Sequence, residues 1–435
     1  MNLSSAGQLA GRLSLGRITV LIFAASSLIY AVSPRGKPES NDLLHGGEIM
    51  LVSLNVNRDG SFANPYYWIH TGPTAHTAPA YVLLHAFVAN TFGVGLEGSR
   101  ALWALNIGFL SLQLALLPAL AVELGLGIGA GILAAVLALV TQPYRVLPEW
   151  EALCTGALLV VLLVATLRRF KTPGEPWKFL TLGLLWGVAL LTNPECVLLM
   201  FLWSCITAIG NSRETRARAW RGMAWVVAGA ALVCLPWTIR NYERFHSVFF
   251  VRDNFGIELY TSNNPCAQSG AYENLMSGCH WLTHPYGNRA IETEVLEKGE
   301  IRFNHEMLRR ALSWIRSNPS LFAQLTARRL VRFWFPDLGG LRYSIPLGIL
   351  TILSFAGLAW MFRENRFAAW LISSTLLVFP LIHYVVQFEE RYRYPIYWAT
   401  ILPAAYVLIK IFQWRRSTRP DTIGESEREA VSVPG

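Results

Sequence analysis

Pro79-Ala80-Tyr81-Val82-Leu83-Leu84-His85-Ala86-Phe87-Val88-Ala89-Asn90-Thr91-Phe92-Gly93-Val94 is the stretch on which the topology turns. It is apolar, yet shorter than the roughly 20 residues a bilayer core requires. Counting residues 79–94 as a membrane span would move every later loop to the opposite side. Around it, ten other segments read as spans: about 17–33, 99–122, 126–142, 150–167, 179–193, 195–210, 222–239, 345–362, 367–386 and 395–412.

Basic residues near span ends decide the question, because short cytoplasmic loops are rich in Lys and Arg. Arg12 and Arg17 precede the first span, and Arg168, Arg169, Lys171 and Lys178 separate the fourth from the fifth. Arg213, Arg216, Arg218 and Arg221 separate the sixth from the seventh. Arg363 and Arg366 follow the eighth, and Lys410, Arg415, Arg416 and Arg419 follow the tenth. All five clusters share one side only if 79–94 does not cross and both termini are cytoplasmic. The segment is therefore expected to be an amphipathic or partly inserted helix on the outer surface.

Composition agrees with a membrane protein. The chain has 435 residues, of which 53% are hydrophobic and 15% charged, and its mean hydropathy is +0.35. A soluble chain of this size carries more charge. The net charge of +9 belongs to the span-flanking clusters, so a nucleic-acid partner is not expected. The expected fold class is all-α and polytopic, with helices of the outer loops lying at the membrane surface. Residues 1–413 form one transmembrane domain, with outer loops at about 34–98 and 240–344, and 414–435 form a polar, disordered tail. The first apolar run has no A-x-A-like cleavage site before Pro34 and reads as a retained span. No internal repeat or matched pair of broken spans is visible, which counts against the alternative of a transporter or lipid flippase.

Chemistry is expected on the outer face. In His45-Gly46-Gly47-Glu48-Ile49-Met50, Glu48 follows two glycines and opens a short helix that Gly60 ends. A carboxylate is electrostatically favoured at a helix N-terminus and is a general-base candidate. Asp42 lies in the same loop. The Gly- and Pro-rich stretch Thr71–Pro79, which includes His76, reads as a shaped turn. Glu151 sits at the membrane edge, where an acid is costly unless paired or wet; a structural ion pair with Arg145 is the plain alternative. Asn193-Pro194-Glu195 forms a similar outer turn. Arg240 and Arg252, beyond span seven, and Arg391 and Arg393, in Phe388–Pro395, carry guanidinium groups suited to phosphate. Residues 299–334 have the periodicity of two surface helices.

Cys154, Cys196, Cys205 and Cys234 fall in apolar segments and read as packing residues. Cys266 and Cys279 fall in the second outer loop and could pair if that loop faces an oxidising compartment. His280 and His284 have the i,i+4 spacing of a metal pair only if 280–284 is helical, and Pro285 argues against that.

Taken together, the outer-loop motifs resemble the C-type (GT-C) glycosyltransferase superfamily, which includes protein O-mannosyltransferases and lipid A aminoarabinose transferases. The likeness rests on Gly47-Glu48, Gly60–Tyr66, Thr71–Ala75, Leu235–Tyr242, Asn254–Leu259 and Arg391–Pro395. It implies a bacterial cytoplasmic-membrane enzyme that moves a sugar from a polyprenyl-phosphate donor to an extracytoplasmic acceptor. It implies a catalytic carboxylate in the first outer loop, a position that Glu48 fills, with Asp42 and Glu151 as the other candidates. Arg240, Arg252, Arg391 and Arg393, with His76 and Glu258, are then the phosphate- or substrate-binding candidates. A divalent cation could share that role.

Overall fold

A computed structural model describes residues 3–33, 47–141, 144, 146, 150–171, 175, 177–210, 213–337 and 341–417. Asp42, Arg145 and the tail beyond 417 lie outside the described residues. The architecture is all-helical. Among the described residues the strand-like pairings are two isolated bridges, Ala63 with Pro73 and Gly270 with Phe388.

Among the described residues, seven helical stretches are long and apolar enough to cross a membrane: Ser14–Val32, Leu96–Glu123, Ala152–Lys171, Thr215–Phe245, Ser344–Glu364, Arg366–Val385 and Glu390–Arg415. The chain is a multi-pass membrane protein. Three expected spans, 126–142, 179–193 and 195–210, are the shorter apolar helices Ile128–Thr141, Trp177–Thr192 and Pro194–Ile209. Their partners reach further than the hydropathy pattern suggested, because polar ends continue helical beyond the apolar core.

The spans pack closely where side chains are small. Gly183 meets the backbone of Val226 and Gly229, and Gly357 meets Pro403. Trp186, Trp203 and Trp398 fill the space between helices and are fully buried. Four cysteines, Cys154, Cys196, Cys205 and Cys234, are free thiols among these helices, as expected for packing residues.

The segment at 79–94 is the helix Pro79–Phe92. It packs on Glu48–Asp59 and Leu96–Ala115 rather than standing apart. Its outward residues Leu83, Phe87 and Phe92 are exposed and apolar. The expected amphipathicity is therefore replaced by apolar character on both faces, with Tyr81, Val82 and His85 turned into the fold.

The two long loops fold together into a helical cap. The second loop supplies Phe255–Ser262, Ala271–Met276, Cys279–Thr283, Arg289–Lys298, Glu300–Ser317 and Pro319–Trp334. The last two match the pair expected over 299–334. Their arginines diverge: Arg309, Arg316 and Arg328 are exposed, whereas Arg329 is fully buried against the carbonyls of Ser262 and Val385. Cys266 and Cys279 are joined as a disulfide.

Residues 60–78, between the helices Glu48–Asp59 and Pro79–Phe92, have little regular structure and are held by acids from the second loop. Gly60 ends Glu48–Asp59 at a φ of 73°, a left-handed value that favours glycine. Asn64 and Gly72 close the following turn through two hydrogen bonds. Glu292 accepts hydrogen bonds from the backbone N–H groups of Tyr67, Trp68 and Ile69. Glu300 accepts one from Ala75 N–H at 2.6 Å, and Ala75 in turn accepts from Asp253 N–H. Burial drives the Glu300 carboxyl up to about 7, against the hydrogen bonds of Thr74 and Ala75 that pull it down.

Two expectations follow. Gly183→Leu forces a side chain into the Val226 backbone, and overpacking of this kind costs roughly 1–3 kcal/mol; thermal unfolding in detergent should show a lower Tm. Glu300 favours its proton more in the folded chain than in the unfolded one. Its stabilising contribution is full below the ordinary value near 4.5 and is lost as pH rises through about 7. Glu300→Gln should therefore match wild type at pH 5 and unfold roughly 2–5 °C higher at pH 8, and an unchanged difference across that range would refute the assignment.

Candidate active site

Glu48 is the first residue of its helix. Its N-cap, Gly47, has no side chain to cap the free N–H groups, so the Glu48 carboxylate sits beside the positive end of the helix. A Cβ on Gly47 would lie 3.1 Å from the Trp150 ring, a contact tight enough that the ring would have to give way slightly. The Glu48 side chain is 13% exposed.

Three other groups converge on it. His76, from the turn pinned by Glu300 and Arg240, places Nε2 3.9 Å from Glu48 Oε1 and 3.8 Å from Glu258 Oε1. His284 places Nε2 4.0 Å from Glu48 Oε1 and 3.9 Å from Glu258 Oε1. Both imidazoles are nearly fully buried. Glu258 comes from Phe255–Ser262, whose close approach to Glu300–Ser317 is permitted by Gly256 against Asn304. The four groups come from four separate segments.

Their electrostatics are mutual. Burial pushes the Glu258 carboxyl up, but His284, His76 and Arg252 outweigh it and hold it at about 2. Burial keeps His76 below the ordinary imidazole value, although Glu48 and Glu258 pull the other way. His76 is thus neutral at physiological pH, as a metal-binding imidazole must be. Its Nδ1 faces the Tyr66 hydroxyl at 3.4 Å.

This donor set fits a divalent cation. The ligating atoms of Glu48, His76 and His284 lie within 4.8 Å of one another. One carboxylate and two imidazoles suit a borderline cation. A tetrahedral site has donor–donor edges of roughly 3.4 Å, and the Glu48–imidazole separations are 3.9 and 4.0 Å. His280 is not part of the set. The helix Cys279–Thr283 ends before Pro285, with His284 as its C-cap, and His280 stacks on His284 at 4.8 Å. The i,i+4 pair therefore does not face one centre.

A second polar group adjoins the first. Arg252, whose charge acts on His76 and Glu258, pairs with Glu195 at 3.3 Å. Glu195 also meets His383 Nε2 at 3.2 Å, and His383 stacks on Tyr392. Arg391 pairs with Glu389 at 2.7 Å and lies 3.5 Å over the Trp150 ring. Trp150 thus joins Arg391 to the Gly47–Glu48 backbone.

The remaining sequence candidates fall elsewhere. Glu151 precedes Ala152–Lys171 and acts on Arg391 by charge, without entering the four-group cluster. Arg240 donates to Thr74 O and Phe62 O and lies over the Phe62 and Trp237 rings. It builds the turn that carries His76. Arg393 is fully buried and donates to Phe333 O, Trp334 O, Thr351 and Thr400. Sequence reasoning passed over His383, Glu292 and Glu300. A histidine inside an apolar segment was the available signal for the first; the two acids looked like ordinary positions of exposed helices.

No protein-family profile matches the chain, and no curated protein does. Three solved structures of the archaeal oligosaccharyltransferase from Archaeoglobus fulgidus do match. The first is AglB in complex with an inhibitory peptide and a dolichol-phosphate, with TM-score 0.54 and 14% identity over 96% of this chain. The apo form gives 0.53 and 15% over 92%, and the complex with Zn and sulfate gives 0.51 and 14% over 91%. The chain spans about half of each, 52%, 51% and 50% respectively. At this identity the likeness concerns the fold: the chain has the helical fold of a membrane oligosaccharyltransferase.

Proposed function

We propose that the protein is a membrane glycosyltransferase. In this reading it takes a sugar from a polyprenyl-phosphate donor and passes it to an acceptor on the loop side of a bacterial cytoplasmic membrane, with both termini on the other side. The observation that carries the reading is the buried cluster of Glu48, Glu258, His76 and His284 with Arg252 beside it. The fold shared with an enzyme solved with a dolichol-phosphate supports a lipid-phosphate donor.

The chemistry needs one base and positive charge. An acceptor hydroxyl or amine attacks the anomeric carbon, its new bond forming as the bond to the phosphate oxygen breaks. The proton released goes to a carboxylate, and Glu48 has one oxygen turned to the imidazoles and a second left for that role. The departing phosphate takes the electron pair and needs no proton. Arg252 stands next to the cluster, and Arg391 is held nearby by Trp150 and Glu389, so both offer charge to it. A single displacement inverts the anomeric centre, unlike the paired-carboxylate route of retaining glycosidases. Glu48, His76 and His284 would hold a divalent cation, which supplies further charge to the phosphate oxygens when bound.

Membranes supplied with a radiolabelled polyprenyl-phosphate sugar provide the test. Glu48→Gln should lower transfer by about 100-fold or more at normal expression, and full retention would sink the role of base. Chelation should abolish transfer in the wild type and Mn²⁺ should restore it; transfer indifferent to chelator removes the cation from the reading.

A further inference from the structure

Tyr67 and Trp68 are each 58% exposed, and their rings meet edge to face at 5.1 Å. Adjoining large rings left open to the surface form the kind of apolar patch that marks a binding site. The pair is not a loose tip. The fully buried Glu292 carboxylate accepts the N–H groups of Tyr67, Trp68 and Ile69, so one side chain fixes three successive residues. The Gly287 amide bears on the same carboxylate. The Trp281 ring, 42% exposed, lies against Gly287, where a Cβ would clash with it. Two aromatic segments, 67–68 and 281–286, are thus joined at Glu292.

Both segments run into the catalytic cluster. Tyr66, just before the pair, faces His76 at 3.4 Å. Tyr286 follows His284 by two residues and lies within electrostatic reach of Glu48 and Tyr67. The positive charge offered to a phosphate enters from elsewhere. Arg391 stands at the start of the stretch Glu390–Arg415, and Arg252 pairs with Glu195 at the start of Pro194–Ile209. Those are ends of membrane helices, where a lipid-linked phosphate arrives, whereas the exposed rings belong to the cap.

Insertion into lipid does not account for the rings. The helix that presents Glu292, Arg289–Lys298, also carries the charged residues Arg289, Glu294, Glu297 and Lys298, and an inserted tip would have apolar neighbours. A pyranose ring does account for them. Its C–H bonds carry slight positive charge and settle on the negative face of an aromatic ring, while its hydroxyls stay hydrated. We propose that Tyr67, Trp68, Trp281 and Tyr286 form a platform for a saccharide acceptor, which presents one hydroxyl to Glu48. This rests on the transferase reading above and narrows its acceptor to a glycan.

Binding is read without transfer. The full chain in nanodiscs, labelled with 5-fluorotryptophan, gives a Trp68 ¹⁹F resonance identified by its loss in Trp68→Phe. The probes are the methyl glycosides of glucose, galactose, mannose and N-acetylglucosamine. At least one should shift the Trp68 resonance, and Tyr67→Ala should weaken its binding by roughly 3–10-fold, with Tyr67→Phe restoring most of it. No shift with any of the four overturns the proposal. A water-soluble gadolinium chelate should broaden the resonance and a doxyl-labelled lipid should not; the reverse puts the pair in the membrane and overturns it. A shift given by a short Ser- or Asn-containing peptide and by no glycoside assigns the patch to a polypeptide and overturns it as well. A glycoside that displaces a labelled polyprenyl-phosphate sugar occupies the donor's place, and the acceptor role falls. Transfer by a chain that binds no glycoside sinks this proposal alone. Glycoside binding by a chain that transfers nothing sinks the transferase reading and leaves a saccharide site.

Discussion

Two carboxylates stand 3.8–4.0 Å from two imidazoles, the imidazoles nearly fully buried and the carboxylates partly so. The rest of the cap depends on that encounter. Charges taken out of water this way are costly unless each is compensated. Here the compensation is shared: His284, His76 and Arg252 hold Glu258 ionised, and Glu48 and Glu258 oppose the burial of the histidines. Removing any one member leaves the others uncompensated. The arrangement is therefore a constraint on four segments at once, and the folding of both long loops around one point follows from it.

Each segment is aimed by backbone rather than by side-chain packing alone. Glu48 is fixed by the start of a helix at a glycine pressed on Trp150. His76 sits in a turn whose amides and carbonyls are taken by Glu300, Asp253 and Arg240. His284 closes a five-residue helix stapled at its first residue by a disulfide. A helix that short has little stability of its own, so the tether and the cluster must set its position.

The membrane helices were legible because apolar runs and flanking basic residues are strong, additive signals. Three fell short of a bilayer's length, and one outer-loop helix proved apolar on both faces, because hydropathy does not report which side a helix packs against. Glu48 was legible as the start of a helix next to glycine. Its partners were not. His284 is more than 200 residues away in the chain, and its i,i+4 companion His280, on the same short helix, stacks on the His284 ring instead of joining the cluster. Glu300 and Glu292 drew no reading of their own, because nothing local shows that a distant, irregular loop will present bare N–H groups to them.

The arginines show the same principle from the other side. Arg240, Arg252, Arg391 and Arg393 share a residue type and a place near the membrane edge, and on the sequence they were equivalent phosphate candidates. Irregular backbone at that depth must have its carbonyls satisfied by protein. Arg240 does this for Phe62 and Thr74, and Arg393 for Phe333 and Trp334. Arg329, never a candidate, does it for Ser262 and Val385. Their donors are spent on the fold. Arg252 and Arg391 meet carboxylates and an aromatic ring instead, contacts that hold the side chains in place while the charge of Arg252 acts on Glu258 and His76 and that of Arg391 on Glu195. What separates a structural arginine from one available to a phosphate is thus whether a loop nearby lacks donors, a property of the folded backbone that residue identity does not carry.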